Sequence, residues 1–440
     1  MAAPYPRLRK ALSAPGLLKT IRQSFASVPD PRSSRSEIAL SDALMAGLAV
    51  FGLKYPSLLK FDEASREDVI RHNLKTLYGV ERAPCDTQLR TLLDPVAPEH
   101  LRPAFRAVHR ELQRHKALEA YRYLDGHYVV SVDGTGQFAS TDIHCPECCV
   151  KTSQGQESYY HQLLGAVLVH PALKTVLPIA AEPITRQDGA SKNDCERNAA
   201  KRLLRQLRRD YPQLKFLVVE DSLAANGPHL ELLKELDLRY LINVKEGDHE
   251  ALFEAVQAKL RAGACEEREY TDDRGVVHGY RFVNDLPLNK THPHLRVNYL
   301  EYWEVKGEQE RLWSWITDLW LRHDNVEPIM RGGRARWKIE NETFNTLKTQ
   351  GYELEHNYGH GQQHLATVFA LLTLLAFLVD QAQELGCRLF QAARACFHSR
   401  TSLWERLRAL FTGFYIPDWK TLWEAIATGH APTALAPDTS

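Results

Sequence analysis

Two aspartates stand where apolar runs end. Asp133 follows Tyr128-Val129-Val130-Ser131-Val132, and Asp221 follows Phe216-Leu217-Val218-Val219-Glu220. β-branched runs of this kind read as buried strands. Ligands of open α/β sheets bind beyond the carboxyl ends of strands. If the two strands are neighbours, two carboxylates converge there, which is costly unless a cation neutralises them. Such a hard oxygen site suits Mg²⁺ or Mn²⁺. A pair of ions there can activate a water or a 3′ hydroxyl and stabilise the leaving oxygen of a phosphodiester.

A third carboxylate is expected from a helix packed on that sheet. The segment Arg336-Trp337-Lys338-Ile339-Glu340 places Arg336 and Glu340 four apart, on one helical face. On a regular helix Lys348 lies within about 80° of Glu340 and Glu342 about 200° away, so Glu340 is preferred. Arg336 and Lys348 would flank the acid and clamp phosphates. Taken one at a time, these residues have plainer uses: aspartates end strands as turn residues, and Arg-x3-Glu occurs on many exposed helices.

Softer ligands are also present. His144-Cys145-Pro146-Glu147-Cys148-Cys149 contains a Cys-x2-Cys spacing, with His161 and Cys195 downstream. Four such ligands can close a tetrahedral Zn²⁺ site. No second Cys-x2-Cys follows, so reduced thiols packed in a loop are the reading adopted for Cys145 and Cys148. His356, His360 and His364 recur every four residues, but Gly359 and Gly361 argue against a continuous helix and a metal face there.

The elements that must position these groups follow from periodicity. Residues 1–122 read as a helical domain. Ser41 is expected to cap a helix from Asp42 to Val50, and Asp86 one from Thr87 to Leu93. Thr87, Gln88, Arg90 and Thr91 on that short helix suit the reader of a helix-turn-helix. Arg102, Arg106, Arg110 and Arg114 form one basic stripe able to track phosphates. Residues 123–245 read as three strands, a helix, a strand, a helix and a strand, the order of a ribonuclease-H-like domain. Residues 246–330 interrupt it with a mainly β insertion, in which Tyr299 to Val305 and Leu312 to Asp318 form a hairpin. The core resumes over 331–384 with the helix of Glu340, and 385–440 form a helical tail with a loose end.

Together these segments resemble the DDE transposases of prokaryotic insertion sequences, in the group whose core carries a large β insertion. Asp133, Asp221 and Glu340 match the three acids, and Arg336 and Glu340 match the Arg-x3-Glu part of a Tyr-x2-Arg-x3-Glu-x6-Lys signature. The signature Tyr falls on Gly333 and the signature Lys on Leu347, one place before Lys348. Gly351 to Gly361, Asp30-Pro31-Arg32 and Pro56-Ser57-Leu58-Leu59 extend the likeness along the chain. The resemblance implies Mg²⁺-dependent cutting and rejoining of DNA with two ions held by the three acids. It implies terminal inverted repeats and target DNA as partners, and a homodimer on the DNA. Some members of the family hold a flipped base on an aromatic side chain, which makes Trp303, Trp313, Trp315 and Trp320 candidates.

Composition agrees with a nucleic-acid enzyme through its distribution rather than its total. The 440 residues carry no net charge, yet the first 120 hold 19 Lys and Arg against 13 Asp and Glu, and the remainder 36 against 42. The N-terminal stretch lacks an apolar signal core. The longest apolar run, Leu365 to Val379, reads as a buried core helix rather than a membrane span. The expected location is cytoplasmic, on the nucleoid. The competing readings are a decayed transposase that only binds DNA and a stand-alone nuclease of the same fold.

Overall fold

A computed structural model describes residues 8–32, 36–189, 192–429 and 436–437. It is a mixed α/β structure built on one large sheet. The strands are β1 (Arg122–Tyr123), β2 (His127–Ser140), β3 (Cys149–Ser153), β4 (Gln156–Val169), β5 (Leu177–Ile184), β6 (Phe216–Glu220), β7 (Arg239–Asn243), β8 (Glu266–Thr271), β9 (Val277–Pro287), β10 (Arg296–Lys306) and β11 (Gln309–Thr317). Their order is β3-β4-β2-β6-β7-β11-β10-β9-β8, with β5 on the other flank of β4 and β1 paired to β2. β2, β4 and β5 are antiparallel, whereas β2, β6 and β7 run parallel.

The segment read as an interrupting insertion does not fold apart. It starts with a helix, Glu250–Arg261, and then adds four antiparallel strands to the edge of the core sheet. The join is β11 on β7, with Trp315, Ile316 and Thr317 opposite Asn243, Ile242 and Leu241. Strand β7 would otherwise end the sheet with its backbone groups unpaired, and β11 satisfies them.

Helix Leu365–Gly386 has the length and apolarity of a membrane span, but 94% of its apolar window is buried inside the fold. It packs against helices Leu40–Gly52 and Arg102–Arg114 and against β5. Apolar on all sides, it has no solvent face to present. Burial of Phe369, Leu372, Leu375, Phe377 and Leu378 contributes roughly 1.5–3 kcal/mol each. The front helices and the tail therefore share one core. Asn73 makes this explicit: its side chain donates to the Phe411 and Phe414 carbonyls and accepts from Ile416 N–H.

Three local expectations need correction. Helix Leu40–Gly52 starts before Ser41, because Asp42 is buried within it, pairing with Arg22 at 2.5 Å and accepting from Glu81 N–H. Asp86 is the first helical residue of Asp86–Leu93, with Cys85 in the capping position. The run from Val326 to Thr349 is not one regular helix. It passes from α-helix Val326–Arg334 through a 3₁₀ turn, Ala335–Trp337, and a π turn, Ile339–Phe344, to a short α-helix, Asn345–Thr349. Of the tail end expected to be loose, only 436–437 are described, paired with Phe414–Tyr415; the rest lies outside the described residues.

Candidate active site

Strand pairing sets the two aspartates side by side. β2 and β6 are parallel, with Ser131 opposite Val219. β6 stops at Glu220, so Asp221 follows its last residue, while β2 continues past Asp133 to Ser140. Extending the register by two residues sets Asp133 beside Asp221, on strands about 4.8 Å apart. Both line one cleft, together with Glu196 from helix Lys192–Asp210. The neighbouring Glu220 is buried and occupied, its Oε2 2.7 Å from His229 Nε2. Asp221 is exposed and accepts from Leu223 N–H at 3.0 Å, fixing the turn that follows the strand.

The irregular segment brings Glu340 to Asp133. Its beginning is tied to β2, where Ser131 Oγ donates to the Arg336 carbonyl at 2.6 Å. Lys338 Nζ donates to the carbonyls of Pro171 and Leu173, holding the next turn to the end of β4. Further on, the Phe344 ring lies against Gly165, which is the cross-strand partner of Asp133. A Cβ on Gly165 would come within 3.1 Å of that ring. A glycine beside the aspartate thus lets the acid-bearing segment lie close to the sheet. π turns inside helices often mark functional positions, and this one carries Glu340.

Arg336 joins the two sides. Its Nη1 lies 3.2 Å from Asp133 Oδ2 and 2.7 Å from Glu340 Oε1. Burial, and next a hydrogen bond shared with Glu340, push the Asp133 carboxyl up to about 7 against the opposing charge of Arg336. The guanidinium is the positive charge that lets the two acids approach. Asp133 and Glu340, two carboxylates on one cation, are hard oxygen donors of the kind that suit a divalent ion.

The signature departures have steric reasons. A Cβ on Gly333 would lie 2.7 Å from Trp315 Nε1, so Trp315 fills the space a tyrosine would need. Leu347 is fully buried, which would suit no lysine, and Lys348 pairs with Glu355 at 2.8 Å instead of flanking Glu340. The regular-helix geometry behind the Lys348 expectation does not apply across a π turn.

The tryptophans separate by burial and by strand direction. Trp315 is fully buried and offers no face to a base. Trp303 is half-buried, packed on Gly279 with Arg281 over its ring. Trp313 is half-buried between Tyr302 and Arg334, the latter 4.4 Å from the ring centre. Trp320 is exposed, but β11 runs antiparallel to β7, which carries it to the end of the sheet away from the acids. Trp337, adjacent to Arg336, is 54% exposed and lines a cleft with Trp313, Arg311, Arg334 and Arg336. The sequence placed it inside the signature without singling it out.

The expected DNA-contacting residues also divide. Arg102 points inward to Glu182, a buried acid it shares with Arg202, so it serves the fold. Arg106 is exposed with Asp210 at 3.5 Å, and Arg110 is exposed. Gln88 is exposed on its short helix, whereas Arg90 is half-buried against Gly359 and 3.5 Å from Asp86.

The two thiols of the Cys-x2-Cys loop have imidazole neighbours. Cys145, Cys148 and His161 come together with His360, all four buried, their ligand atoms within 4.8 Å of one another. Cys195 lies outside this group, its Sγ directed to the Gly189 carbonyl. His360 is 212 positions from Cys148, so no sequence spacing could have joined them.

No protein-family model matches the chain, and no curated protein does. Among solved structures, it is similar to a piggyBac transposase in a synaptic complex with hairpin DNA. The identity is 12% and the TM-score 0.42, over 98% of this chain and 85% of that one. A likeness of that degree carries neither topology nor chemistry across.

Proposed function

We propose that the chain is a DDE-type transposase that cuts and rejoins DNA at the ends of an insertion sequence. Two observations support this reading: Asp133 and Asp221 line one cleft, and Arg336 pairs with both Asp133 and Glu340. The strand order β5-β4-β2-β6-β7, antiparallel then parallel, is our basis for calling the core ribonuclease-H-like. In that reading 1–122 and 385–440 serve DNA binding and support, and β8 to β11 extend the core.

Asp133, Asp221 and Glu340 would hold two Mg²⁺ or Mn²⁺ ions, which supply a nucleophile at neutral pH and stabilise the leaving oxygen. The protein's own groups do the rest. Arg336 holds Glu340 toward Asp133 and offers donors to a phosphate oxygen. Asp133, its carboxyl raised to about 7 chiefly by burial, would give up its proton in order to hold a cation. Trp337 presents an exposed face to an unstacked base beside the acids. Exposed Arg106, Arg110 and Gln88 offer contacts to duplex DNA. The partners are terminal inverted repeats, target DNA and a second copy of the chain, in the cytoplasm on the nucleoid.

The test is cleavage of a plasmid carrying the DNA that flanks the coding sequence. Nicking and strand transfer that need Mg²⁺ or Mn²⁺ and vanish in Asp133→Asn support the proposal. Binding without cleavage would favour a decayed transposase, and hydrolysis without joining a nuclease.

A further inference from the structure

We infer that Cys145, Cys148, His161 and His360 form a structural Zn²⁺ site, one ion per chain, separate from the carboxylate cluster. The distances carry the argument. Cys145 Sγ and Cys148 Sγ are 3.7 Å apart. His161 Nε2 lies 3.3 Å from Cys145 Sγ and 3.4 Å from Cys148 Sγ, and His360 Nδ1 lies 3.5 Å from Cys148 Sγ. With bonds of about 2.3 Å to sulfur and about 2.05 Å to nitrogen, a tetrahedron has S···S edges of about 3.8 Å and S···N edges of about 3.5 Å. Four of the six edges thus match a zinc tetrahedron, and the two others, from His360 to Cys145 and to His161, are within 4.8 Å. A disulfide would need sulfurs about 2.05 Å apart and would leave both imidazoles unused.

The local backbone suits the same role. Cys148 N–H donates to the Cys145 carbonyl, closing a tight turn, and Cys145 N–H points at Cys148 Sγ at 3.3 Å. An N–H directed at sulfur favours the thiolate, the form that binds metal. Two thiolates and two neutral imidazoles cancel the charge of Zn²⁺, so the centre can be buried without an unpaired charge. Four protein ligands leave no open position, which makes the site structural rather than catalytic.

The site joins three parts of the chain. Cys145 and Cys148 lie in the loop after β2, and His161 lies on β4 opposite Phe138 of β2. His360 lies in the loop after the Glu340 segment, its ring centre 4.4 Å from that of Phe138. The ion would clamp the segment that follows Glu340 to the strand that carries Asp133. This holds whether or not the chain moves DNA, because it rests on the ligand geometry alone.

The test uses the full chain purified without added metal. Elemental analysis should find about one zinc per chain, and refolding with Co²⁺ should give the intense visible bands of a tetrahedral thiolate site. Cys148→Ser and His360→Gln should each weaken zinc binding by at least roughly tenfold. Cys149→Ser and His356→Gln, neighbours outside the cluster, should keep a full equivalent. Less than about a tenth of an equivalent in the reduced wild-type chain, with no tetrahedral cobalt spectrum, overturns the inference. So does a full equivalent retained by the Cys148→Ser, His360→Gln double variant. The wild-type metal content and cobalt spectrum decide the matter even if a ligand variant fails to fold.

Discussion

The carboxylates around Asp133 and the thiol–imidazole cluster both touch the β2/β4 pair of strands, yet they are built in opposite ways. Asp133 faces Gly165 across β2 and β4, and Phe138 faces His161 five residues further along. The first group offers oxygen ligands, those of Asp221 and Glu340 on exposed side chains, with Arg336 held between Asp133 and Glu340. The second offers two sulfurs and two nitrogens, all buried. An open, hard site can exchange its ion and admit a phosphate. A closed, soft site keeps its ion and fixes distances. One strand pair thus carries a proposed reaction centre and the brace that holds it.

The strongest way to break this comparison is to show that the open site is not catalytic. Asp133→Asn and Asp221→Asn are each expected to lower Mg²⁺-dependent nicking by at least roughly 10³-fold, about 4 kcal/mol of barrier. Zinc content should not change. Near-normal nicking by either variant, measured on supercoiled plasmid, would remove the proposed mechanism.

The next effect tests how the sheet seats the Glu340 segment. Gly165→Val should drive Phe344 outward, costing about 1–3 kcal/mol of stability and roughly 10–100-fold in cleavage. Gly413, at the end of helix Arg400–Gly413, where a Cβ meets nothing, is the control. If Gly165→Val and Gly413→Ala melt and cleave alike, Phe344 does not position the acid.

Acidity gives a smaller and graded effect. Because Asp133 is raised to about 7, Mg²⁺ must displace its proton below that pH. Affinity should therefore fall by up to about tenfold per pH unit below neutrality and level off above it. For the metal-free chain the sign is the reverse. A raised carboxyl contributes stability that is full below its unfolded value of 3.8 and is lost as pH rises through about 7. Thermal melts at pH 6 and pH 8, with and without Mg²⁺, should cross in this sense for wild type and lose the difference in Asp133→Asn. Parallel pH dependence in both proteins would assign the titration elsewhere.

The smallest effect belongs to Trp337. Its replacement by Ala should weaken binding of DNA with an unpaired base near the cut by about 1 kcal/mol, roughly fivefold in Kd. Fully paired duplex should bind as before. Equal loss on both substrates would make Trp337 a packing residue.

The primary structure alone was enough for the buried runs that lead to Asp133 and Asp221 and for the four-residue link between Arg336 and Glu340, because buried strands are written in continuous β-branched runs. That β6 stops before Asp221 while β2 continues past Asp133 to Ser140 was not legible, since the extension is held by pairing with β4. The arginine stripe was legible as a stripe but not as a function, since only packing shows that Arg102 turns in to Glu182. The joining of β11 to β7, the π turn under Glu340 and the meeting of His360 with Cys148 were decided by tertiary structure. Each depends on a contact between residues far apart in the chain, where side-chain period and spacing hold no information. Periodicity reports which face of an element is buried, and only the folded chain determines what that face is buried against.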